Sequence, residues 1–288
     1  MDANLVRRVG FALVAIPLAL LLVWYGGWPL ALLLALAAIL GTRELFDLAA
    51  RGNVRPLRTL GLVSAGLFPP IVYAALTGPD VRSWITEWWP YALALWVILL
   101  LGVTLGTRSP TDRPLSVAGI SLLAVVYTGA LPAFLLAIRH ANHPLRSWAG
   151  AWLVFYPLVV TWVCDTAAMF GGRAFGGPKL APAVSPGKTR SGSVAGVVGG
   201  LVVAPVFALA VFPRLGLELP LGQLLVIAGV LSVVGQVGDL AESLFKREAG
   251  VKDSSALIPG HGGVLDRFDS LYFVIPTAAA LYHAFGVI

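Results

Sequence analysis

Nine apolar windows of about 20 residues follow one another along this 288-residue chain. They lie at roughly 9 to 27, 29 to 48, 59 to 77, 87 to 106, 116 to 138, 150 to 171, 192 to 213, 221 to 245 and 269 to 287. A helix of that length spans the hydrocarbon layer of a bilayer. Hydrophobic residues make up 58% of the chain, well above the level of a soluble globular domain. The expected fold is therefore all-α: a polytopic integral membrane protein of about nine transmembrane helices. The first two windows are separated only by the turn around Gly26 to Pro29, which predicts a helical hairpin. The N-terminus has a basic lead and an apolar core, as a signal peptide does, but no small-x-small cleavage site at a suitable distance. It reads as a retained first span. Three segments are expected: residues 1–114 with spans one to four, 115–148 with span five and its loop, and 149–288 as the catalytic membrane region.

The 20 Lys and Arg residues divide unequally between the two sides that alternating spans create, sixteen against four. The positive-inside rule puts the richer side, and the N-terminus, in the cytoplasm. Removing the eight cations of the two motif-bearing loops leaves eight against four, with the same result. The localisation expected is the inner, cytoplasmic membrane, with both polar loops facing the compartment that holds nucleotides. The formal charge of +6 is scattered among short loops instead of forming one stripe, so nucleic acid is not an expected partner. Cys164 is the single cysteine and lies in an apolar run, which excludes a disulfide framework and a thiolate cluster.

Charge gathers in two places. Between Gly235 and Ser270 lie six of the fourteen carboxylates: Asp239, Glu242, Glu248, Asp253, Asp266 and Asp269. Asp239 and Glu242 are three residues apart at the end of an apolar run and share a helix face. Asp266 and Asp269 repeat that spacing around Arg267. Lys246, Arg247, Lys252 and the glycine-bracketed His261 lie between the two pairs. Carboxylates beside cations and flexible backbone suit a divalent ion and a polyphosphate.

The second cluster follows Asp165, a carboxylate inside apolar sequence and so a functional candidate by default. After Gly171, Gly172, Gly176 and Gly177 come Lys179 and then Ser185-Pro186-Gly187-Lys188-Thr189, with Arg190 next. Glycines that expose N–H groups, cations Lys179, Lys188 and Arg190, and hydroxyls of Ser185 and Thr189 describe an oxyanion cradle. It is not a Walker A loop, because Pro182 stands where the first glycine of that spacing belongs.

Other polar groups read more plainly. Glu44 and Asp47, near Arg43 and Arg51, form a solvated, paired helix end. The pieces 78–86, 107–115 and 139–148 are connecting loops, and His140, His143 and His283 receive no role. Gly192, Gly196 and Gly200 have small-xxx-small spacing, which implies close helix packing within the fold or in a homodimer.

The segment Ser243-Leu-Phe-Lys246-Arg247, then Lys252-Asp253, Pro259-Gly260-His261-Gly262-Gly263 and Asp266-Arg267-Phe268-Asp269 resembles the signature of phosphatidate cytidylyltransferases, or CDP-diacylglycerol synthases. Gly238-Asp239 and the stretch from Asp165-Thr166 to Lys188-Thr189 are similar to the family's other landmarks. The resemblance covers about the last 125 residues. It implies that CTP and phosphatidate give CDP-diacylglycerol and pyrophosphate, with Mg²⁺ and a monovalent cation such as K⁺ at a metal centre of Asp239, Asp266 and Asp269. The chain departs from the family where Ser191 replaces a usual glutamate and Met169 lies near a usual tyrosine.

The chemistry such clusters suit is attack of a phosphatidate oxygen on the α-phosphorus of CTP. Lys179, Lys188 and Arg190 are candidates for the triphosphate, and Lys246, Arg247 and Arg267 for phosphatidate at the headgroup level. His261 is a phosphate donor or a general base, and Asp165 meets the cytosine, the ribose or a metal. Two rival readings are a CTP-dependent lipid-alcohol kinase and a cation-coupled transporter.

Overall fold

The computed structural model describes residues 3–258 and 262–288, with side chains from Leu13 onward. Its elements in chain order are α1 (Ala3–Tyr25), α2 (Gly27–Arg51), α3 (Arg58–Thr77), α4 (Pro79–Thr107), α5 (Pro114–His140) and α6 (Trp148–Phe175). A hairpin of β1 (Lys179–Ala181) and β2 (Ser185–Thr189) follows, then α7 (Arg190–Val211), α8 (Leu221–Glu248), the single turn α9 (Leu265–Phe268) and α10 (Leu271–Ala284). The chain is a multi-pass, all-α membrane protein. Seven helices among the described residues, α2 to α8, are long and apolar enough to cross a bilayer. The first and ninth expected windows correspond to α1 and to α10. The 14 residues of α10 are continued backward by α9, because the backbone keeps right-handed helical angles from Val264 to Ser270.

Hydropathy marks the part of a helix inside lipid, not the helix itself. α4 begins at Pro79, eight residues before its apolar window, with proline at a first-turn position where its missing N–H costs nothing. Only 11% of its most apolar window is buried, so α4 turns its side chains to lipid. The predicted hairpin of α1 and α2 is present. It turns through Gly26 (φ +72°) and Gly27 (φ +67°), angles that disfavour side chains.

The loop expected to be a plain connection at 139–148 holds that hairpin together. Arg139, fully buried, donates from Nε to Val23 O at 2.7 Å, from Nη2 to Trp24 O at 2.6 Å and from Nη1 to Pro144 O at 3.1 Å. It thereby satisfies carbonyls that the end of α1 leaves open. His140 Nε2 accepts the Gly27 N–H at 2.9 Å and does the same for the start of α2.

One apolar cluster draws on Val23 of α1, Leu34 of α2, Tyr73 of α3, Leu136 of α5, Tyr156 of α6, Phe207 of α7, Ile227 of α8 and Ala278 of α10. Its members come from all three expected segments. The glycine stripe of α7 is used inside this fold. A Cβ at Gly192 would lie 2.6 Å from Ala168 O and one at Gly196 3.0 Å from Cys164 O, both on α6, while one at Gly200 would overlap Ser232 Oγ on α8. That close packing of α6, α7 and α8 brings the end of α6, the hairpin, the start of α7 and the polar end of α8 to one side of the bundle.

Candidate active site

On that side lies a cavity of about 710 Å³. One wall comes from α6, which contributes Asp165, Met169, Gly172 and Arg173; the opposite wall comes from α8, with Gln236 and Asp239. The hairpin closes it through Lys179, Gly187, Lys188 and Thr189, and the first turn of α7 through Gly192 and Ser193. The glycine-rich segment is thus a two-stranded antiparallel ribbon, with Lys179 paired to Thr189 and Ala181 to Ser185. Thr189 caps α7 by accepting the Gly192 N–H at 3.1 Å. A helix N-terminus beside Lys179 and Lys188 is a favourable environment for anionic oxygens.

Ser191 completes the ribbon. Its hydroxyl donates to Gly176 O and lies 3.1 Å from Thr189 Oγ1, so it ties the entry of the hairpin to its exit. Lys188 forms an ion pair with Asp239 across the cavity, and Ser243 Oγ lies 3.4 Å from the other Asp239 oxygen. Asp165 is exposed to the cavity and close enough to Asp239 and Lys188 to feel their charges.

A second polar group lies beyond Asp239 along α8. The Lys246 ammonium is buried between Asp266 Oδ1 at 2.7 Å and Glu242 Oε1 at 3.1 Å. Asp266 Oδ2 accepts from Ser254 Oγ at 2.7 Å, Ser254 N at 2.8 Å and Gly263 N at 2.8 Å. Burial alone would raise the Asp266 pKa, but these donors and Lys246 outweigh it and hold the carboxyl below the ordinary carboxylate range. Asp269 accepts from Ser270 N at 2.6 Å and lies within electrostatic range of Asp239, Lys246 and Arg267, so it stands between the two groups.

Several expected roles change on this geometry. Lys246 is not free for a lipid phosphate, because its buried ammonium pairs with two carboxylates. Arg247 donates to Val184 O at 3.1 Å and Val251 O at 2.7 Å, and so fastens the hairpin to α8. Ser185 and Arg190 do not line the cavity; Ser185 sits in the strand pairing and the Arg190 side chain is exposed, as are Lys252 and Arg267. His261, with Pro259 and Gly260, lies outside the described residues.

Glu44 is the largest correction. It is buried at 3% exposure, accepts from Ser255 Oγ at 2.7 Å, Val264 N at 3.0 Å and Leu265 N at 2.8 Å, and lies 2.9 Å from Ser254 Oγ. Only Asp47 matches the solvated reading, paired with Arg58 at 2.7 Å. Sequence reasoning also misses Arg173 and Gln236. Gln236 stands one turn before Asp239 on the same face of α8, a spacing that could have identified it.

A family model described as the cytidylyltransferase family matches residues 6–285 of the chain. This chain belongs to the cytidylyltransferase family. Curated relatives of this chain include the phosphatidate cytidylyltransferases of Bacillus subtilis, 40% identical over 184 residues, and Haemophilus influenzae, 37% identical over 196 residues. These alignments cover 64% and 68% of the chain and 65% and 66% of the relatives, so the chain spans just under two thirds of their length. The protein of the same name from Staphylococcus saprophyticus is 33% identical over 266 residues, 92% of this chain and 94% of that one.

The resemblance to this family implies a divalent ion, and the donor chemistry can be compared with it. Among the described residues no three acidic, histidine or cysteine side chains form a ready-made metal site. Both oxygens of Asp266 are already hydrogen-bonded, while Asp165 lies within electrostatic range of Asp239, Asp269 and Lys188. Carboxylate oxygens are hard donors and fit a hard metal in kind.

Proposed function

We propose that this protein is a phosphatidate cytidylyltransferase, converting CTP and phosphatidate to CDP-diacylglycerol and pyrophosphate. The observation that carries the reading is the facing pair of Lys188 on the glycine-rich hairpin and Asp239 on α8 across a cavity at a membrane-helix end. A phosphate oxygen of phosphatidate forms a bond to the α-phosphorus of CTP, and the bond from that phosphorus to the bridging oxygen of pyrophosphate breaks. The nucleophile is already an anion at neutral pH, so no general base is required. The barrier is charge repulsion and alignment.

Lys188, Lys179 and the first turn of α7 hold the triphosphate, and the hairpin's exposed N–H groups orient it. Arg267, an exposed side chain beside Asp266, attracts the lipid phosphate. Asp239 and Asp269, with Asp165, would hold Mg²⁺, and Lys246 and Asp266 brace the turn that carries Asp269. Mg²⁺, when bound, supplies neutralisation of phosphate charge and stabilises the leaving pyrophosphate. A monovalent cation such as K⁺ belongs to the same reading.

In the bilayer the chain has nine spans with the N-terminus inside, and the cavity opens to the cytoplasmic face of the inner membrane. A homodimer would use the open face of α4, since the α7 glycines are engaged internally. Purified protein given labelled CTP and phosphatidate, with and without Mg²⁺, tests the reading. Mg²⁺-dependent formation of lipid-linked CMP supports it. Transfer of phosphate from CTP to a lipid alcohol would point to a kinase, and no turnover with an ion-dependent thermal shift to a transporter.

A further inference from the structure

Glu44 comes from the second helix, more than 200 residues from the groups it contacts. It has no cationic partner within 4 Å among the described residues, where three hydrogen-bond donors, Ser255 Oγ, Val264 N and Leu265 N, compensate the buried carboxyl group. All three belong to one loop. Oε1 takes Ser255 Oγ and Val264 N; Oε2 takes Leu265 N and lies 2.9 Å from Ser254 Oγ, whose proton goes to Asp266. Glu44 therefore clasps both ends of the segment 254–265, the one that delivers Asp266 to Lys246 and Asp269 toward Asp239.

The loop's glycines are shaped around this clasp. A Cβ at Gly263 would overlap Glu44 Oε2 and Ser254 Oγ, and Gly262, at φ +82°, would bring one to 2.6 Å from Asp266 Oδ2. Backbone must pass that close for Gly263 N to reach Asp266, so two of the glycines in the PGHGG run answer to carboxylates, one of them in the N-terminal half.

We infer that Glu44 is a positioning residue for nucleotidyl transfer, fixing the acidic loop from outside the C-terminal catalytic region. This rests on the proposed activity. Glu44→Gln is the informative variant because each carboxylate oxygen faces one backbone N–H that can never accept. Whichever way the amide turns, its NH₂ meets a donor, although size and shape are kept. Glu44→Asp keeps the charge but shortens the reach by one methylene.

The test uses the full-length protein in lipid nanodiscs, with initial rates measured over CTP at fixed phosphatidate and the reverse, and hydrogen–deuterium exchange on the same samples. For Glu44→Gln the expected result is a kcat at least tenfold lower, a CTP KM within about threefold of wild type, and faster exchange over 254–265 with the hairpin 179–189 unchanged. Glu44→Asp should recover part of the kcat. Asp47→Asn, one turn further along α2, should match wild type. A kcat within twofold of wild type for Glu44→Gln, or a loss that only follows the amount of folded protein, overturns the inference. If Glu44→Gln does not insert, Ser255→Ala removes one of the three donors and should lower kcat about threefold with the same exchange pattern; no change overturns it. If wild type forms no lipid-linked CMP, the proposed activity fails, and exchange decides the positioning: unaltered protection of 254–265 in Glu44→Gln overturns it.

Discussion

Lys188 and Asp239 meet across the cavity as an ion pair, the ammonium carried by the hairpin and the carboxylate by α8. Both side chains are more than a quarter exposed, so each retains capacity for a ligand. An ammonium has three donors, and only one is needed for Asp239. Lys188→Ala should raise the CTP KM about tenfold or more, the scale of one charge-assisted hydrogen bond, and move the phosphatidate KM little. Steady-state kinetics in both substrates checks this, and the reverse pattern rejects the assignment of Lys188 to the triphosphate. Asp239→Asn should lower kcat by at least about a hundredfold with the protein still inserted.

Asp266 predicts a stability change in acid. Its carboxyl is held below the ordinary range by Lys246, Ser254 and Gly263, against the opposing effect of burial. A group whose folded pKa is depressed contributes stability above its unfolded pKa and loses it as pH falls through the folded value. The thermal midpoint should therefore drop with pH beginning near the ordinary carboxylate value of about 4 and continuing below it. Asp266→Asn should be less stable at neutral pH and flatter over that window. Parallel curves for the two proteins would show that Asp266 is not the group responsible.

Much of this architecture is legible in the amino-acid sequence. Continuous apolar windows locate the spans because lipid requires each to be a self-satisfied helix, and Asp165, Lys188 and Asp239 stand out as charges that apolar surroundings do not explain. The features that sequence hides depend on tertiary contact. Glu44 sits beside Arg43 and Asp47 and so looks like a solvated helix end; only the return of the 254–265 loop, two hundred residues later, makes it an interior acceptor. Lys246 and Arg247 are adjacent and chemically alike, yet rotation of about 100° along α8 sends one into the bundle and the other toward the hairpin. Arg139 is hidden for a related reason: a cation after an apolar run usually marks a membrane edge, and here it caps another helix.

That cap should be expensive to lose. Arg139 is fully buried and gives hydrogen bonds to three carbonyls, two at the end of α1. Arg139→Met keeps much of the volume but leaves those acceptors without their charged donor, a loss of about 3 kcal/mol or more. A lower thermal midpoint in detergent is expected, with kcat per folded molecule unchanged because the α1–α2 turn lies at the other end of α2 from Glu44. A fall in kcat without destabilisation would contradict this division between the two ends.

Contact between α7 and α8 sets the width of the cavity, since Lys188's neighbour Thr189 caps α7 and α8 carries Asp239. Between these helices, a Cβ at Gly200 would overlap Ser232 Oγ, a buried hydroxyl with no hydrogen-bond partner among the described residues. Gly200→Ala should thus destabilise by about 1–3 kcal/mol through overpacking and raise the CTP KM as the walls part. Ser232→Ala alone gives up no hydrogen bond and should be neutral or slightly stabilising. The two together remove the collision, so the double variant should regain most of the stability and affinity lost by Gly200→Ala. Thermal midpoints and CTP kinetics for the four proteins of this cycle measure that coupling directly, and simple additivity would mean that the close approach at Gly200 does not set the cavity's width.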